Sequence, residues 1–257
     1  MRITRIVAII LLVCAMPVMA APAPPVKNIV LVHGAFVDGS SWARVIPLLQ
    51  AQGYNVTAVQ LPLSSFADDV AATKRALARQ DGPTILVGHS WGGFVITDAG
   101  ADPKVVGLVY IAAFAPDMGE TVTELGKPYP APPALAAPIV DQQGFITLSA
   151  DAFKHFGSDL PASDAALAAA TQAPINASAF GAQVTNVAWK TKATWYIVSK
   201  RDEAIAPDEE RFFAKRMKAT TTELDASHVS MLSQPKAVAT VIMDAAGKAQ
   251  AAGVAKK

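Results

Sequence analysis

Short β-branched runs alternate with helical patterns through the first half of the chain. Asn28-Ile29-Val30-Leu31-Val32 is an apolar run stopped by His33-Gly34, the pattern of a strand buried on both faces. Ser40-Ser41 precede Trp42, Val45, Ile46, Leu48 and Leu49, a spacing that predicts a capped helix closed by Gly53. Tyr54 to Val59 reads as a strand, Asp68 to Arg79 as a helix, and Asp81-Gly82-Pro83 as a turn. A second buried strand follows at Thr84-Ile85-Leu86-Val87, then a short helix from Gly92 to Ala99 and a third apolar run from Val105 to Ile111.

Strand and helix in this alternation imply right-handed crossovers and a mostly parallel sheet with helices on both faces, an α/β fold. The rhythm stops near Phe114. From about 115 to 187 the chain is rich in Ala and Pro, and reads as an inserted helical cap in which Phe145, Phe153, Phe156, Leu160 and Leu167 are available for burial. It resumes with a strand at Thr194-Trp195-Tyr196-Ile197-Val198, a helix from Pro207 to Met217, a short strand around Thr221 to Leu224 and a final helix from Pro235. The tail from Lys248 to Lys257 reads as a solvated helix end.

The N-terminus changes the picture of where this domain works. Arg2 and Arg5 are followed by an apolar run from Ile6 to Val13, and Val18-Met19-Ala20 places small residues where a signal peptidase reads. Residues 1–20 are thus expected to be a removable export signal, too short to span a bilayer, which makes the domain 21–257 periplasmic or secreted. What remains is long enough for one domain with its own core. Cys14, the only cysteine, falls inside the expected signal, so the mature domain would hold no disulfide. The net charge of +1, with both signs interspersed, points to neither nucleic acid nor a charged membrane surface as partner. It leaves oligomeric state open.

The strongest chemical signal is Gly88-His89-Ser90-Trp91-Gly92, which fits G-x-S-x-G between a strand and a helix. A serine at such a turn takes a strained backbone and projects its Oγ above the carboxyl ends of the strands. Its hydroxyl needs a base. Of the four histidines, His89 lies inside the turn with its side chain directed away from Ser90, His33 suits a structural hydrogen bond, and His155 falls on the exposed cap. His228, between the last strand and the last helix, is the remaining candidate. A carboxylate must then orient the imidazole. Asp202, a short loop beyond the strand ending at Val198, is favoured over Glu203 and over Asp225, which lies too near His228 in the chain. The order Ser, Asp, His is the one found in α/β-hydrolases. For an oxyanion hole, the backbone N–H of Trp91 is one donor, and the N–H of Ala35, in the loop after the first buried strand, is the best candidate for the second. Phe36 and Trp91, with Phe114, Phe145, Phe153, Phe156 and Phe180, suggest an apolar pocket. No His-Glu-x-x-His or paired-histidine spacing is present to suggest a metal site.

Val32-His33-Gly34-Ala35-Phe36 through Ser41-Trp42, Gly88 to Gly93, and Asp225-Ala226-Ser227-His228 together resemble the α/β-hydrolase superfamily, and within it the branch of plant methylesterases, hydroxynitrile lyases and bacterial esterases. The resemblance implies an ester hydrolase acting on a small molecule, with Ser90, Asp202 and His228 as triad and with no metal or organic cofactor. The lyases of that branch carry a threonine where this chain has Gly34 and a lysine where it has Val229, so the resemblance favours hydrolysis over cyanohydrin cleavage.

Overall fold

The computed structural model describes residues 24–255, so the expected export signal at 1–20 lies outside the described residues. Six strands make one sheet: β1 (Asn28–Val32), β2 (Asn55–Val59), β3 (Thr84–His89), β4 (Val105–Ile111), and, after a long insertion, two more. The insertion carries the short helix α4, preceded in the chain by α1 (Ile46–Gln50), α2 (Phe66–Ala78) and α3 (Trp91–Ala99); α4 itself is Val122–Leu125. It goes on through β5 (Ile139–Val140), β6 (Phe145–Thr147), α5 (Ala150–Phe156), α6 (Ala162–Ala170) and β7 (Ile175–Asn176). The main sheet then resumes with β8 (Ala193–Ser199), α7 (Pro207–Arg216) and β9 (Thr220–Leu224), and the chain closes on α8 (Ser230–Ser233) and α9 (Pro235–Ala255).

The sheet order is β2-β1-β3-β4-β8-β9, and every pairing in it is parallel. All loops after strands therefore emerge at one edge. The chain runs from β1 outward to β2 and returns to β3 on the other side of β1, so the topology switches direction between β1 and β3. Open α/β sheets bind ligands in that crevice. Its walls are the loop after β1, which holds Ala35 and Phe36, and the turn after β3, which holds Ser90. Burial on both faces explains the unbroken apolar stretches of β1, β3 and β4.

Three local expectations need correction. The helix expected after Ser40-Ser41 is split into a 3₁₀ turn, Gly39–Trp42, capped by Asp38, and a separate α1. Pro47 is the reason: it has no N–H to donate to the Ala43 carbonyl, as a continuous helix would require, and suits only the first turn of a new helix. The register of buried Trp42, Val45 and Leu49 survives the break. Helix α2 starts two residues before Asp68, because Ser65 accepts the Asp68 N–H and caps it. The insertion holds helices, as expected, and also a three-stranded antiparallel sheet, β5-β6-β7. Phe153 and Phe156 are buried there, whereas Leu167 is 64% exposed on α6, a helix of small residues that buries none of its side chains.

Candidate active site

Ser90 sits at φ 52°, ψ −121°, a left-handed region costly for any residue with a Cβ. The surroundings impose it. The Ser90 N–H donates to the Ile111 carbonyl (3.2 Å), while the Ser90 carbonyl accepts from Gly93 (2.9 Å) and Phe114 (3.2 Å). At Gly92 a Cβ would lie 2.5 Å from the Val32 carbonyl oxygen, so only glycine lets α3 start this close to β1. Trp91 opens α3, and its N–H is among the donors that a helix start leaves unpaired.

The side chain of Trp91 is pinned from behind. Its Nε1–H donates to Asp69 (2.8 Å), whose other carboxylate oxygen accepts the Leu63 N–H (2.8 Å). Burial raises the Asp69 carboxyl to about 6, partly offset by those two donors. Phe94 stacks on the indole, and Phe66 and Phe180 meet it edge-on.

His228 and Asp202 come from the loops after β9 and β8 and meet at the strand ends. His228 Nδ1 lies 2.5 Å from Asp202 Oδ2, and both side chains are buried. Asp202 Oδ1 accepts the N–H groups of Ala204 (2.7 Å) and Ile205 (2.9 Å), which hold the carboxylate in place. With Nδ1 engaged, Nε2 of His228 has no hydrogen-bond partner among the described residues. The rivals weighed in the sequence are elsewhere: Glu203 pairs with His155 on the surface, and Asp225 is exposed and pairs with Arg201 (3.1 Å). His33 has the structural role expected of it, accepting the Leu61 N–H at Nε2 (2.9 Å) and bonding the Gly34 carbonyl through Nδ1 (2.8 Å).

His89 does more than its place in the motif suggested. Its Nε2–H donates to the His228 carbonyl (2.9 Å), tying the Ser90 turn to the histidine loop. Burial, reinforced by His228, drives its pKa well below the usual histidine value, so it is neutral. The insertion grips the same loop: Ser227 donates its N–H (3.1 Å) and its hydroxyl to Asp159, and Phe156 meets the His228 ring edge-on.

Ser90 and His228 open into a cavity of about 430 Å³ whose wall includes Ala35, Trp91, Phe36 and Phe114. Phe156 and Phe180 also line it; Phe145 and Phe153 do not, which corrects the expectation that placed them in the pocket. Phe153 packs instead behind Phe156 (centroids 5.1 Å apart).

Two acidic residues near the site escaped the sequence reading. Glu209 lines the cavity, and burial with the nearby Asp202 charge raises its carboxyl to about 7. Glu210 is fully buried, accepts the Ser199 N–H (3.0 Å), and is pushed well above the usual glutamate value by burial and by Asp202. Burial and the neighbouring Asp202 charge therefore keep it protonated. Asp208-Glu209-Glu210 after Pro207 looks like an ordinary charged helix start. Helical spacing was the available signal, because Glu209 and Glu210 lie four and three residues before buried Phe213, on the face that packs inward.

Residues 29–241 match the model of the alpha/beta hydrolase family. The sequence is 36% identical over 119 residues to a pyrethroid hydrolase of Sphingobium wenxiniae, covering 40% of this chain and 42% of that one. It is 33% identical over 147 residues to a carbendazim hydrolyzing esterase of a Nocardioides species, covering 51% and 57%. These alignments thus span about half the length of the curated relatives they match. Among solved structures, a pyrethroid hydrolase from Sphingobium faniae JZ-2 superimposes with a TM-score of 0.74 at 26% identity, over 86% of this chain and 98% of that one. With the family model matched across the whole sheet, from β1 into α9, this chain belongs to the alpha/beta hydrolase family.

Proposed function

We propose that this protein is a carboxylic ester hydrolase that works through an acyl-enzyme on Ser90. The observation that carries the reading is the state of His228. Its Nδ1 is committed to Asp202 at 2.5 Å, its buried Nε2 has no partner among the described residues, and His228 and Ser90 line one cavity. Nε2 accepts the Ser90 proton as Oγ attacks the acyl carbon, and Asp202 stabilises the imidazolium that results. The N–H groups of Ala35 and Trp91 receive the oxyanion. Collapse expels the alkoxide, which takes its proton from His228, and water attacks the acyl group by the reverse sequence.

The aromatic lining favours small apolar or aromatic esters, in keeping with relatives named for hydrolysing a pyrethroid and carbendazim. Gly34 and Val229 stand where related lyases place a threonine and a lysine, and Val229 is buried and apolar, so cyanohydrin cleavage has no cation there to assist cyanide departure. Export completes the proposal, with cleavage after Ala20.

A fluorophosphonate probe is expected to label Ser90 alone, and Ser90→Ala to abolish turnover of p-nitrophenyl and aryl acetates. A folded protein that binds small hydrophobic ligands yet is not labelled would be a binding protein instead. Faster cleavage of mandelonitrile than of any ester would reverse the choice of reaction. Mass spectrometry of exported protein tests the leader: an intact Met1, or a lipid on Cys14, contradicts it.

A further inference from the structure

Glu209 is the only carboxylate among the described residues that line the cavity shared by Ser90 and His228. An acidic residue in the first turn of a helix is ordinarily explained by the helix dipole. Asp208, one residue earlier, fits that explanation, since its side chain is 82% exposed and pairs with Arg211 at 2.9 Å. Glu209 does not. It is 3% exposed, and its buried Oε1 has no partner among the described residues. A carboxylate held this way is costly, while a leucine of similar length would simply complete the apolar wall.

The charges around it point one way. Asp202 lies close enough to raise its pKa, and Glu210 next to it on α7 is kept protonated. Tyr129, contributed to the lining by the insertion, carries a phenol that burial and then the Glu209 charge push upward, so it is neutral. His228 has its Nδ1 on Asp202. Lys127, the one lysine in the lining, is exposed and makes no ion pair with Glu209. A cation entering the cavity therefore meets an unpaired carboxylate in a negative field, and an anion is repelled.

We propose that Glu209 is the specificity-determining residue of this cavity and selects esters that carry a basic amine, whose ammonium N–H it accepts. The inference rests on the esterase reading and adds a cationic group to the apolar or aromatic body proposed for its substrate. Apolar walls hold the hydrocarbon body of the substrate, and Glu209 supplies the polar anchor that fixes its orientation.

The test uses two esters of the same shape, 2-(dimethylamino)ethyl acetate and 3-methylbutyl acetate, which differ by an ammonium N–H in place of a C–H. The ratio of their kcat/KM values is measured in wild type, Glu209→Gln and Glu209→Leu, so that effects common to both esters cancel. Near about pH 7.5 the wild-type ratio is expected to exceed that of either variant about tenfold or more, the strength of a hydrogen bond to a charged group. The excess shrinks toward about pH 5.5 as Glu209 takes up its proton. Calorimetric titration of Ser90→Ala with each ester reads the same preference without chemistry, and Glu209→Leu serves if the glutamine variant misfolds. Ester turnover with ratios equal in wild type and variants overturns the role of Glu209 and leaves the esterase reading standing. A calorimetric preference for the amine in a protein that neither hydrolyses aryl acetates nor reacts with fluorophosphonate sinks the esterase reading and keeps Glu209 as the selecting residue. Tighter binding of 3-methylbutyl acetate than of the amine overturns the proposal outright.

Discussion

A buried carboxyl with a raised pKa leaves a signature in stability as well as in specificity. Glu209 ionises at the ordinary 4.5 in the unfolded chain and at about 7 in the fold. Between those values the folded protein holds a proton that the unfolded chain has released, so stability falls as pH rises from about 4.5 to about 7 and is level beyond. The ceiling on this loss is about 3 kcal/mol. Glu209→Gln removes it: thermal denaturation is expected to give a higher Tm than wild type near about pH 8 and the same Tm near about pH 4. Equal melting at both ends would mean that Glu209 is ionised and paired in the fold. Glu210 contributes a slope of the same sign, which remains in both proteins. Protonated, it adds no second charge beside Asp202 while it accepts the Ser199 N–H at the end of β8, three residues before Asp202. Glutamine preserves both roles, and leucine only the neutrality. Glu210→Gln is therefore expected to keep near-wild-type kcat, while Glu210→Leu leaves a buried N–H unpaired, costs about 1–3 kcal/mol of stability and lowers kcat. Identical kcat in the two variants would show that the bond from Ser199 to Glu210 does not position Asp202.

At the scale of elements, the site depends on how closely two strand-end loops approach. A Cβ on Gly34 would lie 2.7 Å from Ser90 Cβ and 2.9 Å from His89 Nδ1, so the loop after β1 rests directly on the turn after β3. Gly34→Ala must push that loop outward and carry the Ala35 N–H with it. Its expected effect is a loss of kcat of roughly tenfold to a thousandfold with the far-ultraviolet circular dichroism unchanged. Undiminished turnover would move the second oxyanion donor away from Ala35. The strands and their order along the chain were legible because both-face burial writes itself as unbroken apolar runs, as at Ile29 to Val32 and Val105 to Ile111. The break before α1 was legible only in part. Its apolar spacing continued across Pro47, and spacing alone does not register a missing N–H.

For the molecule as a whole, the insertion between β4 and β8 matters through what it touches. Asp159, between α5 and α6, holds the N–H and hydroxyl of buried Ser227, the residue before His228. Phe156 adds an edge-on contact with the imidazole and another with Phe36 (centroids 6.2 Å apart). The segment that walls the cavity is therefore also a brace for the histidine loop. Asp159→Ala is expected to lower kcat along with raising KM, and to cost about 1–3 kcal/mol in denaturant unfolding, since two buried donors lose their acceptor. A change in KM alone would mean that the insertion shapes the cavity without positioning His228.

The sequence by itself determined the α/β class, the strand-turn-helix setting of Ser90, and the candidates Asp202 and His228, because each is a local pattern tied to a strand end. Tertiary structure alone decided which carboxylates the site contains. Asp69 behind Trp91, Asp159 beneath Ser227, Glu210 beside Asp202 and Glu209 in the cavity wall all read as ordinary surface acids in one dimension. Whether a carboxyl is solvated, paired or held neutral depends on neighbours that come from other elements, and burial and distance are not written in the order of residues.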